Sequence, residues 1–158
     1  MDTTSIDTMN KLIIVLPFIV SNIVRILTAK PDTYPTKTPL QPPGYLFGIA
    51  WSIIYLLYGA YLYRICTTRE PNMNYILFLW TINFTVNLMW YPIVIDRKKH
   101  TMGVYMIVFL ISTLIGLLVN TENVTSKNLL IPYISWLVLA LLLNVELVAS
   151  KRPSLKSP

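Results

Sequence analysis

Residues 102–119 read MGVYMIVFLISTLIGLLV, a stretch without a single charge or proline. The hydrocarbon core of a bilayer is about 30 Å thick, and a helix of roughly 20 apolar residues spans it. A barrel strand needs about ten residues of alternating polarity instead. The stretch predicts a transmembrane helix.

Working outward, four more runs share this character: Leu12–Ala29, Tyr45–Ile65, Asn74–Ile95 and Leu129–Ala149. The rest of the chain supports them, with 54% of its 158 residues apolar, 13% charged and a mean hydropathy of +0.57. A soluble domain of this size needs a polar coat, and disorder needs low hydrophobicity; this composition fits neither. No piece between the runs is long enough for a separate domain. The start, MDTTSIDTMNK, carries two acids and one lysine, and no A-x-A cleavage pattern follows it, so the first run is expected to be retained. The expected fold is an all-α integral membrane protein, a single five-transmembrane-helix bundle over residues 1–158.

Charge sets the expected orientation. With five spans, the loops 30–44 and 96–101 and the tail from Ser150 share one side. That side holds Lys30, Lys37, Arg97, Lys98, Lys99, Lys151, Arg152 and Lys156 against Asp32 and Asp96. The opposite side balances Lys11, Arg64, Arg69 and Lys127 with Asp2, Asp7, Glu70 and Glu122. Basic loops stay cytoplasmic, so the Pro-rich connection and the C-terminus are expected in the cytosol. The net charge of +6 then reflects topology and contact with the lipid bilayer, and a nucleic-acid partner is not expected.

Two charges lie inside runs, Arg25 and Glu146, each about one turn from the cytosolic end of its helix. Charges within a membrane are costly, so the two are expected to pair across the first and fifth helices. Separate snorkelling to the interface is the alternative. Little else offers chemistry. Cys66 and His100 are the only cysteine and histidine, and neither paired carboxylates nor a Gly-rich phosphate loop is present. No catalytic set, metal site or required cofactor is expected.

Three helices carry stripes at helical spacing. The second has Phe47, Trp51, Tyr55 and Tyr58; the third Trp80, Asn83, Asn87 and Trp90; the last Tyr133, Trp136, Ala140 and Asn144. Amides are expensive against lipid, so these faces are expected to turn inward toward one another. Such stripes serve as interhelical glue, or they enclose a site for a large planar lipophilic ligand. In that site Trp51 and Asn87 would supply hydrogen-bond donors. The connection 30–44 contains five of the eleven prolines. It is therefore stiff and extended, and suits a lid over one mouth of the bundle.

The segment PPGYLFGIAWSIIYLLYG resembles the signature of the translocator protein / tryptophan-rich sensory protein family, formerly the peripheral benzodiazepine receptors. Pro42, Pro43, Phe47, Gly48, Trp51 and Tyr55 match. NLMWYP, through Asn87, Trp90 and Pro92, is similar to the family's Asn-x-x-Trp-x-Pro. PYISWLVLALLLN matches a third motif through Pro132, Tyr133, Trp136, Ala140, Leu143 and Asn144. The resemblance implies a bundle, commonly a homodimer, that binds porphyrins such as haem and its precursors, as well as sterols and benzodiazepine-type ligands. It further implies a pocket lined by Trp51, Asn87, Trp90, Trp136 and Ala140, with Phe47 and Tyr55 on the same stripe and a lid including Pro42, Pro43 and Tyr45. Members occupy the mitochondrial outer membrane, secretory membranes or bacterial envelopes, and light-dependent porphyrin breakdown is credited to some bacterial ones. This sequence departs from the pattern at Leu40 and Tyr45, where the family has tryptophan. Val145, Glu146 and Ala149 do not form the family's sterol motif. The expected function is a non-enzymatic membrane receptor for tetrapyrroles. A transporter of tetrapyrroles or lipids, and an assembly protein with a vestigial pocket, are the alternatives.

Overall fold

The computed structural model describes residues 3–28, 43–68, 70–97 and 99–150. Its elements are helices: α1 Thr3–Thr28, α2 Gly44–Thr68, α3 Met73–Trp90, α4 His100–Asn120, α5 Val124–Asn128 and α6 Ile131–Ser150. α3 runs on into a π-helical turn, Tyr91–Asp96. Pro92 accounts for that turn. Proline has no N–H to offer the Leu88 carbonyl, and its ring crowds that carbonyl, so the helix widens there.

Among the described residues, four helical stretches are long and apolar enough to cross a membrane: Gly44–Thr68, Met73–Val94, His100–Asn120 and Val124–Ala149. α1 contributes a shorter apolar stretch, Leu12–Thr28, about 25 Å long at 1.5 Å per residue. Burial is inverted relative to a soluble protein. Ile26 and Leu27 are 74% and 79% exposed, whereas Asn83 is fully buried and Asn87 and Asn144 nearly so. Apolar side chains outside and amides inside suit hydrocarbon as the surrounding solvent. The chain is an all-α membrane bundle, and its helices fall on the five expected runs. The short α5 is an addition to them. Asn123 caps it, its Oδ1 accepting from the Ser126 N–H at 3.0 Å.

The helices group in two. α1 lies along α2, and the crossing is so close at Gly59 that a Cβ there would collide with the Ile14 carbonyl. α4 packs between α3 and α6. The backbone of α2 makes few close approaches to α3 or α6, and aromatic side chains fill the space between the pair and the trio.

At one end the groups are fastened by polar contacts. Tyr61 and Thr121 share a hydrogen bond of 2.7 Å. The Glu70 carboxylate accepts from the Glu122 and Asn123 N–H groups at 2.8 and 3.3 Å. Arg64 donates to Ser126 Oγ and Asn123 Oδ1, both at 3.2 Å. The other end gathers the C-termini of α1 and α6 with the N-termini of α2 and α4. Residues 30–42 of the Pro-rich connection, Pro42 among them, lie outside the described residues.

Candidate functional site

The three stripes meet between the helix groups, and their two halves behave differently. Toward the fastened end they are packed solid. Tyr58 stacks on Trp80 at 5.0 Å and donates to Asn83 Oδ1 at 3.0 Å. Asn83 in turn donates to the Leu110 carbonyl and to Thr113 Oγ1, at 3.0 and 2.8 Å. These residues are interhelical glue.

One turn further on, the Asn87 amide bridges two tyrosines from different helices. Tyr55 donates to its Oδ1 and its Nδ2 donates to the Tyr133 hydroxyl, each at 2.7 Å. Above this bridge the packing opens into a cavity of about 390 Å³, with Tyr55 and Asn87 in its lining. Phe47 and Trp51 of α2, Trp90 of α3, and Trp136 and Ala140 of α6 form its walls. Phe47 and Trp51 meet Trp136 edge to face, at 5.3 and 6.4 Å between ring centroids. Trp51 also stacks on Tyr55 at 5.4 Å. All seven side chains expected in the pocket from the sequence therefore border one cavity.

The polar groups are distributed differently from the expectation. Asn87 engages its carbonyl and one of its two N–H groups within the bundle, so it shapes the floor and has one donor left at most. The unsatisfied groups lie elsewhere in the lining. Trp90 Nε1, Trp136 Nε1 and Asn144 Oδ1 are buried without a hydrogen-bond partner. Trp80 Nε1 is buried and unpartnered too, but Trp80 stands outside the lining, stacked on Tyr58.

The expected ion pair between Arg25 and Glu146 does not form. Arg25 is exposed and borders the cavity, whereas Glu146 is outside the lining and its Oε2 has no hydrogen-bond partner. The reason is lateral placement: α1 packs on α2, and α6 packs on α4. Equal depth does not make neighbours. Of the expected lid, Pro43 and Tyr45 are described and exposed, Tyr45 by 68%, and neither lines the cavity; Gly44 between them does.

The sequence reading also missed wall residues. Ser21, Asn22 and Arg25 of α1 and His100 of α4 all border the cavity. The signal for α1 was available in its spacing, because Ser21 and Arg25 stand four residues apart in its mostly apolar part. Ser21 Oγ and Asn22 Nδ2 donate back to the Phe18 carbonyl, at 3.0 and 2.8 Å, so their polarity is largely absorbed by their own helix. Among the described residues no group of three or more His, Cys, Asp or Glu side chains is placed to hold a metal ion.

Comparison with known proteins agrees with this architecture. The chain is 29% identical over 112 residues to protein CrtK of Rhodobacter capsulatus, covering 68% of this chain and 70% of that one. It is 26% identical over 109 residues to the tryptophan-rich protein TspO of Archaeoglobus fulgidus, covering 68% and 71% respectively. The sequence profile of the TspO/MBR family matches residues 13–149, from the apolar part of α1 to the end of α6. An integral membrane bundle with three inward stripes in order along α2, α3 and α6 thus belongs to the TspO/MBR family.

Proposed function

We propose that this protein is a non-enzymatic membrane receptor for porphyrins, haem and its precursors included, and for similar planar lipophilic molecules. One observation carries the reading: an aromatic-walled cavity inside the bundle is lined by Trp90 and Trp136, whose indole N–H groups are buried without partners. Indole and phenyl walls suit a flat ring system, which they stack against or meet edge-on. A volume of about 390 Å³ falls within the usual 300–1,000 Å³ of small-molecule sites. A buried donor left unpaired costs about 1–3 kcal/mol, a cost that a ligand acceptor removes. Among the described residues the cavity lining contains no carboxylate. Membership of the TspO/MBR family supports the same reading.

Titration of the purified protein with haem and with protoporphyrin IX, followed by tryptophan emission, tests it. Three of the four tryptophans line the cavity, so saturable quenching of most of the emission is expected. Linear, unsaturable quenching that is identical in a Trp90→Phe/Trp136→Phe double variant would overturn the reading. Illumination of the complex should leave the porphyrin spectrum unchanged, whereas accumulation of a new pigment would establish an enzyme instead.

A further inference from the structure

Among the described residues, Arg25 is the only Asp, Glu, Lys or Arg side chain in the cavity lining. It sits in the last turn of α1, where the helix dipole favours a cation. Among the described residues it has no ion-pair partner, and the expected one, Glu146, is outside the lining. The remaining walls are aromatic, aliphatic or small and polar, with Ser21 and Asn22 tied back to the Phe18 carbonyl. The cavity therefore has a largely apolar, aromatic-walled interior and, among the described residues, a single fixed positive charge, on the exposed Arg25. A neutral ligand would leave that charge unused. A ligand with an apolar edge and an acidic edge would satisfy both regions at once, since guanidinium pairs with carboxylate through two parallel hydrogen bonds.

We infer, resting on the porphyrin-binding reading, that Arg25 makes the cavity selective for acidic planar ligands by pairing with a ligand carboxylate. The macrocycle lies against the aromatic walls, Trp51 and Trp136 among them, and its carboxylates remain at the Arg25 side. The same cation would attract a lipid phosphate, so the experiment must separate the two anions.

Protoporphyrin IX and its dimethyl ester share one ring and differ in charge, and both are titrated into protein held in phosphatidylcholine nanodiscs. The wild type should prefer the diacid. Arg25→Gln should weaken diacid binding about fivefold, close to the most that an exposed ion pair contributes, and leave the ester unchanged. Arg25→Lys should restore most of the preference because it restores the charge. Equal losses for acid and ester, or no loss for either, would overturn the inference while leaving the receptor reading intact. Failure of the wild type to bind either porphyrin would overturn both. A loss equal for both porphyrins, and seen only when phosphatidylglycerol is added, would assign Arg25 to lipid phosphate and overturn the inference as well.

Discussion

Glu70, Arg64, Asn123 and Ser126 at one end of the bundle exchange hydrogen bonds until their inward-facing polar groups are met. Trp90, Trp136 and Asn144, toward the other end, are buried just as deeply in part and keep an indole N–H or a carbonyl without a partner. Both regions belong to one small bundle and use the same stock of Trp, Tyr, Asn and Ser. They differ in whether the chain supplies its own partners. Where it does, polar groups hold helices together, and their loss should register in stability. Where it does not, the proposed function has a ligand meet the unmet groups, and their loss should then register in binding. The tyrosine–asparagine–tyrosine bridge through Asn87 marks the border between the two.

The sharpest way to break this contrast is Glu70→Ala. It removes the acceptor from two backbone N–H groups and should lower stability by about 2–4 kcal/mol, measured as a fall in melting temperature in detergent. Porphyrin affinity at the opposite end should stay within about twofold, a shift below 0.5 kcal/mol. If affinity falls in step with stability, the ends are not independent and the contrast fails.

At the border, Asn87→Leu should show both effects at once. It strands the Tyr55 and Tyr133 hydroxyls, for a stability loss of about 1–2 kcal/mol, and deforms the cavity floor, weakening binding. A binding loss without any change in melting would mean that Asn87 contacts ligand directly and that the bridge is incidental.

The smallest expected effect on stability belongs to the Trp90→Phe/Trp136→Phe double variant, whose melting temperature should be unchanged or slightly raised. It deletes two unpaired buried donors and keeps most of the aromatic surface. Its porphyrin affinity should fall about tenfold, or 1.4 kcal/mol. Trp80→Phe is the internal comparison: its indole N–H is equally unmet but lies outside the cavity, so affinity should not change. Equal losses from both variants would place the ligand elsewhere.

Much of this was legible in the sequence, for physical reasons that also explain what was not. Apolar runs of membrane length announce helices, and three- and four-residue spacing announces which sides turn inward. Spacing places Trp51, Asn87 and Trp136 on inward faces, but it cannot say whose hydrogen bonds are already spent. That is why Asn87 was expected to offer a donor and the structure shows its carbonyl and one of its two N–H groups already engaged. Depth along a helix is likewise readable while neighbour order is not, and Arg25 and Glu146 were matched on depth alone. α5 escaped notice because it is five residues long and depends on the Asn123 cap more than on any pattern of its own. The wall contributed by α1 was hidden by how few polar residues carry it.

The π-helical turn after α3 gives the bundle one more property. A π turn holds an extra residue within a helix that otherwise advances about 100° per position. Removing one residue from Tyr91–Asp96 would let an ordinary helix run through, and everything beyond would rotate by about that angle. Val94, fully buried and close enough to Gly103 that a Cβ there would come within 2.9 Å of it, would swing off its seat on α4. Gly103 and Val94 are fitted to the register that the turn sets, so a single deletion there would cost the contact between them.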